Sequence, residues 1–157
     1  MNENVCCFTG HRDISSDFSR ERLIKAIEKK IALGVDTFLN GAAVGFDMIA
    51  AFCVLELKER AEYSHIKLHL YIPCKDQDRK WKREDKARYK ELLSKSDFID
   101  EPKYGYYDGC MRERNYKMVK NSAHCICYLN SYATGSGQTV REAQRRGLDI
   151  INVSNAQ

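Results

Sequence analysis

Short apolar runs alternate along this chain with longer stretches in which apolar residues return every third or fourth position. The first pattern is that of strands buried on both faces, and the second that of helices with one apolar stripe. Strands are predicted at Val5 to Phe8, Thr37 to Leu39, Ile66 to Ile72, Phe98 to Ile99, His124 to Leu129 and Asp149 to Val153, with Pro73 closing the third. Helices are predicted from Ser19 to Leu33, Phe46 to Ala61, Lys80 to Ser94, Met111 to Lys120, and from the TGSGQ loop to Arg146. Leu23, Ile24, Ile27 and Ile31 form the stripe of the first helix, and Gly34 and Gly147 stand where the first and last helices stop.

Strict alternation of strand and helix predicts an α/β, Rossmann-like three-layer domain: a mostly parallel sheet with helices on both faces. Two prolines, no repeat and no low-complexity stretch leave residues 1–157 as a single unit. In such sheets ligands sit beyond the carboxyl ends of the strands. The places to look are therefore FTGHR after the first strand, NGAAVGFD after the second, IPC after the third and NSYATGSGQT after the fifth.

Composition narrows the class. A chain of 157 residues, 43% hydrophobic, is long enough to bury roughly 70% of its extended surface without staples. The 26 basic and 22 acidic residues leave a net charge of only +4, so nucleic acid is not expected as a partner. No run approaches the ~20 apolar residues of a membrane span, and MNENVCCFTG lacks the layout of a secretory signal, which predicts a cytosolic protein. The seven cysteines are odd in number, and Cys6, Cys7, Cys125 and Cys127 fall in apolar strands. They read as small buried hydrophobes, and neither a metal nor a cofactor is expected.

Glycine-bearing loops that run into helices aim free N–H groups and the helix dipole at an anion. Gly41, Ala42 and Gly45 lie in one such loop, and Thr134, Gly135, Ser136, Gly137 and Thr139 in another. The plainer reading is that these glycines only permit tight turns. Gly10, His11 and Arg12 follow the first strand, where Arg12 offers a fork for phosphate. Met111, Arg114, Asn115 and Met118 share one helix face, so a buried Arg114 must meet either a protein carboxylate or an anionic ligand. Asp47 would repel a phosphate placed on its helix, which points to ribose hydroxyls there. Thr139 and Glu142 have the spacing of a capping box, or Glu142 serves a ligand. Trp81 is a candidate for base stacking, or packs on the sheet above a mixed-charge helix.

These residues resemble the SLOG superfamily over almost the whole chain, in particular its short YpsA-like bacterial members. The likeness rests on TGHR (Thr9 to Arg12), a GxxxGxD loop (Gly41, Gly45, Asp47), a proline-ended third strand followed by tryptophan, an MxxRN helix (Met111, Arg114, Asn115) and the Gly/Thr-rich loop after the fifth strand. The superfamily also holds the Lonely Guy phosphoribohydrolases and the Smf/DprA DNA-processing proteins. Against the Lonely Guy signatures MxxRK and GGxGTxxE, this chain has MRERN and GSGQTVRE, so that Ser136 and Gln138 replace glycines.

The resemblance implies Arg114 at the phosphate or leaving base and Glu142 steering water, if the chain is a nucleoside monophosphate N-glycosidase. It equally implies a module that binds a nucleotide-derived small molecule, such as a nucleoside phosphate or an ADP-ribose-like signal, as a sensor or sequestering protein. Binding is the expectation taken forward, with a homo-oligomer as its form. Single-stranded nucleic acid, held by the Lys/Arg-rich segment around Trp81, is the third reading.

Overall fold

The computed structural model describes residues 2–154, so residues 1 and 155–157 of the expected unit lie outside the described residues. Six strands form one sheet: β1 (Val5–Gly10), β2 (Thr37–Asn40), β3 (Lys67–Tyr71), β4 (Phe98–Asp100), β5 (His124–Tyr128) and β6 (Asp149–Asn152). Their order is β4-β3-β2-β1-β5-β6, and every pairing is parallel. Five helices connect them: α1 (Arg20–Ala32), α2 (Phe46–Lys58), α3 (Arg83–Lys95), α4 (Cys110–Lys120) and α5 (Gly135–Arg145).

Side chains alternate along the buried strands and build two cores. Phe8, Phe38, Leu68, Leu70, Ile126 and Tyr128 meet Leu23 and Ile27 of α1, Phe46, Val54 and Leu57 of α2, and Tyr89 and Leu92 of α3. On the other face Cys7, Leu39, Cys125, Cys127 and Leu129 meet Met118 and Val119 of α4 and Val140 and Ala143 of α5. Each large side chain buried this way contributes roughly 1.5–3 kcal/mol. All seven cysteines are buried and free, and burial pushes the Cys127 thiol up to about 12, so it packs as a hydrophobe.

Helix ends follow the punctuation in the sequence. The Ser19 hydroxyl accepts from the Arg22 N–H at the start of α1. Beyond its end Gly34, at φ 102°, donates to Ile31 O while Val35 donates to Lys30 O, a Schellman motif. Gly147 and Leu148 repeat that pair of bonds after α5, onto Gln144 O and Ala143 O.

Among the boundaries that differ from expectation are two helix ends, each displaced by three residues. The second helix ends at Lys58 because Arg60 is extended, and the chain makes a separate 3₁₀ turn at Ala61–Tyr63. Residues 80–82 are turn and extended chain, since Lys82 caps α3 with ψ 159°, so Trp81 precedes the helix.

From β1 the chain winds outward through β2, β3 and β4, then returns to the other side of β1 for β5 and β6. The connections therefore diverge between β1 and β5, which leaves a crevice above their carboxyl ends. Among the described residues no helix is long and apolar enough to cross a membrane.

Candidate functional site

A cleft of about 650 Å³ fills that crevice, a size suited to a small molecule. Its floor is Thr9 and Gly10 at the end of β1, and its rims are the loops that follow β1 and β5. Four hydrogen bonds fasten the rims together: His11 N–H to Tyr128 O at 3.2 Å, Asn130 N–H to His11 Nε2 at 3.0 Å, Asn130 Nδ2 to Ser15 Oγ at 3.3 Å, and Ser136 Oγ to Gly10 O at 2.8 Å. Because His11 Nε2 accepts, the neutral ring carries its proton on Nδ1. Beneath them the Tyr128 hydroxyl donates to Asp17 at 2.6 Å, and Asp17 also accepts from Ser15 and Ser154.

The two glycine loops play different parts. At α2 the first turn is already occupied, because Phe46 N–H donates to His11 O at 3.1 Å and Asp47 places a carboxylate beside the remaining donors. At α5 the cap Thr134 accepts from Gly137 N–H through its side chain and from Gln138 N–H through its carbonyl. That leaves the N–H groups of Gly135 and Ser136 for the cleft, with the positive end of the helix dipole behind them. Arg12 stands on the opposite rim. An anion thus has one open helix terminus, and it is that of α5.

Glycine is required in these loops for reasons of contact. A β-carbon on Gly10 would lie 2.5 Å from the Phe46 ring, on Gly45 2.2 Å from Arg12 O, and on Gly137 2.2 Å from Tyr132 O. On Gly135 it would meet nothing within 4 Å, since that face opens on the cleft.

Arg114 and Asp47 form the inner end. Arg114, 7% exposed, donates from Nη1 to Gly41 O at 2.9 Å and to Tyr71 O at 3.0 Å, and from Nε to Asn115 Oδ1 at 2.8 Å. Carbonyl oxygens therefore hold the guanidinium, where the sequence left a carboxylate or a ligand as its partner. Burial lowers its pKa and the charge of Asp47 raises it again, and an arginine starts so high that it stays charged. Asp47, 8% exposed, has its carboxyl pKa pushed up to about 6 by burial, against the opposing pull of Arg114 and of the Ala43 N–H.

Of the residues singled out from sequence, Gly10, His11, Arg12, Asp47, Arg114, Asn115, Thr134, Gly135 and Ser136 line the cleft together. Gly41, Ala42, Gly45, Gly137 and Thr139 stand behind it: Thr139 Oγ1 bonds Gly135 O within α5, and the other four shape the loops. The expected capping box at Thr139 is not formed, because α5 begins earlier, at Gly135 with Thr134 as its cap. Glu142 lies outside the cleft, in a groove between α4 and α5, where its carboxylate accepts from Arg145 Nε and Nη2 at 3.0 and 2.7 Å and from Arg146 Nε at 2.7 Å. Those hydrogen bonds hold its pKa below the usual range. Trp81 also lies elsewhere, half-buried and edge-on to Tyr89 with ring centroids 5.1 Å apart.

Sequence reasoning missed Asn40 and the pair Asn130 and Ser131. Asn40, fully buried, donates to Asp47 O at 2.7 Å and accepts from Ala42 N–H at 2.7 Å, fixing Ala42 in the left-handed region at φ 56°. A buried polar residue ending an apolar strand was its only signal. Asn130 and Ser131 open the NSYATGSGQT segment that the strand-end rule marked, but nothing in their residue types singled them out within it.

Comparison with known proteins adds sequence relatives, of which the UPF0398 proteins are spanned over about two-thirds of their length, and structures of the same fold. The sequence profile of YpsA, described as the YspA SLOG family, matches residues 4–148, from just before β1 to just before β6. A UPF0398 protein of Oceanobacillus iheyensis is 31% identical over 127 residues, covering 76% of this chain and 67% of that one. One of Brevibacillus brevis is 29% identical over 132 residues, covering 83% and 67%. The SPbeta prophage-derived protein YoqJ of Bacillus subtilis is 27% identical over 142 residues, 82% of each chain. Among solved structures, DNA processing protein A from Helicobacter pylori, described for its single-stranded DNA binding mode, superposes with a TM-score of 0.67 at 18% identity, over 94% of this chain and 64% of that chain. The Streptococcus pneumoniae protein gives 0.65 at 18%, over 92% and 48%. These two share the fold, and this chain spans between about half and two-thirds of their length. With the profile matched along nearly all its length and the predicted parallel sheet in place, the chain belongs to the YpsA SLOG family.

Proposed function

We propose that the cleft binds a phosphate-bearing, nucleotide-derived small molecule, and that the protein acts as a sensor or sequestering module for it. The observation that carries this reading is the open N-terminus of α5, whose Gly135 and Ser136 N–H groups share one cleft with Arg12 and the buried Arg114. Together they offer two backbone donors, a helix dipole, the Arg12 fork and the positive charge of Arg114 to a single anion. Against turnover stands the position of Glu142, which is outside the cleft and engaged by two arginines of its own helix turn. Self-association is proposed with this reading on the family's implication, and sedimentation measures it.

The test is a thermal-shift panel of nucleoside monophosphates, ADP-ribose and cyclic ADP-ribose isomers. A ligand at 100 times its Kd adds roughly 2.7 kcal/mol, a rise of several degrees for a domain of this size. No shift from any of them at millimolar concentration sinks the reading.

A second reading, single-stranded nucleic acid, has an observation of its own. Trp81 is turned inward, so the segment around it offers no aromatic platform. The groove between α4 and α5, by contrast, carries Arg112, Arg141 and Arg145 beside Tyr116, and Arg141 lies over the Tyr132 ring at 5.3 Å. Basic and aromatic side chains so interleaved suit a phosphate backbone with stacked bases, as in a strand-binding groove. The Helicobacter pylori relative in fold is described as a single-stranded DNA binder. A gel shift at low salt that finds no complex discards this reading.

A further inference from the structure

Among the described residues two buried side-chain atoms have no hydrogen-bond partner, Asp47 Oδ1 and Gln77 Oε1. Gln77 is not part of the cleft lining, and its amide points its donor end at Gly41 O, 3.4 Å away. Asp47 lines the cleft and is 8% exposed. A buried carboxylate oxygen left bare costs about as much as a lost hydrogen bond to a charge, so an unfilled acceptor at the inner end of a cleft is a place for a donor.

The surroundings decide what kind of donor. Arg114 and Asp47 face the same space beside Gly41: a β-carbon there would be 2.4 Å from Arg114 Nη1 and 3.0 Å from Asp47 Oδ2. Its positive charge opposes a second cation at Asp47, and among the described residues no group of three or more acidic, His or Cys side chains gathers to hold a metal. The donor is therefore neutral. In the proposed ligand the neutral donors next to the phosphate are the hydroxyls of the sugar, and the cleft has room for both parts at once. Asn40 holds the Asp47 backbone and Ala42 sits in a strained conformation, so the helix start is fixed before any ligand arrives and only the carboxyl group has to turn toward the cleft.

We propose that Asp47 Oδ1 accepts a hydrogen bond from a ribose hydroxyl of the ligand, so that this site selects ribonucleotide-derived over deoxyribose-derived molecules. The inference rests on the small-molecule reading above and narrows it to a ligand class. Protonation of the same carboxyl near 6 weakens the acceptor, so selection by the hydroxyl fades as the medium is acidified.

Calorimetric titration of the full chain compares the ribonucleoside 5′-monophosphates with their 2′,3′-dideoxy counterparts at pH 7.5. Loss of a hydrogen bond to a charged acceptor should weaken binding by about tenfold or more. In Asp47→Ala the two sugars should bind alike, and Asp47→Asn, which keeps the volume, serves if the alanine variant fails to fold. Equal binding of both sugars by the wild type overturns the proposal while the phosphate reading stands. A ribose preference that survives both substitutions also overturns it, since the hydroxyl is then read elsewhere. If no monophosphate of either kind binds, this proposal and the reading beneath it fail together.

Discussion

The guanidinium of Arg114 occupies the space in which a side chain at Gly41 would stand, and one of its nitrogens bonds the Gly41 carbonyl at 2.9 Å. A glycine in the loop after β2 and an arginine in the middle of α4 are thus one fitted pair, 73 positions apart in the chain.

Gly41→Ala should therefore act on Arg114. The added methyl forces the guanidinium off its two carbonyls, at a cost of about 1–3 kcal/mol, or roughly 3–10 °C in thermal midpoint. Phosphate-ligand binding should fall with it. A variant with wild-type melting and wild-type affinity would show that the fit is loose.

Gly135→Ala and Gly137→Ala should separate folding from binding. The second places a methyl against Tyr132 O and should lower the melting temperature. The first has open space and should leave melting unchanged, while a larger side chain there, as in Gly135→Leu, closes the approach to the α5 terminus and abolishes nucleotide binding. Equal melting of the two alanine variants contradicts the contacts described.

Asp47 makes a prediction about pH. In the folded chain its carboxyl protonates near 6, and the ordinary value is 3.8. Between those values the folded state binds the extra proton, so this group lowers stability as pH rises through the window, and the penalty is constant above it. Asp47→Asn should gain on the wild type across that range, reaching a difference on the order of 3 kcal/mol at neutral pH. Denaturant unfolding at about pH 4, 5, 6 and 7 measures it, and a difference that does not vary with pH contradicts the assignment.

Glu142→Gln should leave nucleotide binding unchanged, because the side chain faces the α4–α5 groove and its partners are Arg145 and Arg146. Free base and ribose 5-phosphate released by the wild type but not by this variant would restore the catalytic role that the family resemblance implies.

Much of this fold was legible because its signals are local. Gly34 and Gly147 end helices where the periodic pattern stops, and Val5 to Phe8 or His124 to Leu129 are apolar runs too short for helices. The start of α3 was misjudged because Lys80 to Lys82 look helical by composition, while Trp81 turns in to meet Tyr89, a contact between side chains that no local rule contains. Within the site, TGHR and the α5 loop could be read because strand ends carry ligands in parallel sheets. The sequence could not rank the two glycine loops. That ranking depends on His11 O reaching Phe46 N–H, and the displacement of Glu142 from the cleft depends on where α5 begins.

The rims of the cleft come from opposite ends of the chain, for β1 and β5 are neighbours in the sheet yet Asn130 N–H and His11 Nε2 lie 119 residues apart. A fragment that lacks either end of the chain lacks one rim of the site. A ligand bound as proposed would act as a clasp between the first strand and the fifth, and its binding energy would resist unfolding of the whole sheet rather than fraying of one loop. Amide exchange from β1 and β5 should slow together on binding, and a cellular protease that waits for global opening would see the occupied protein as a longer-lived one.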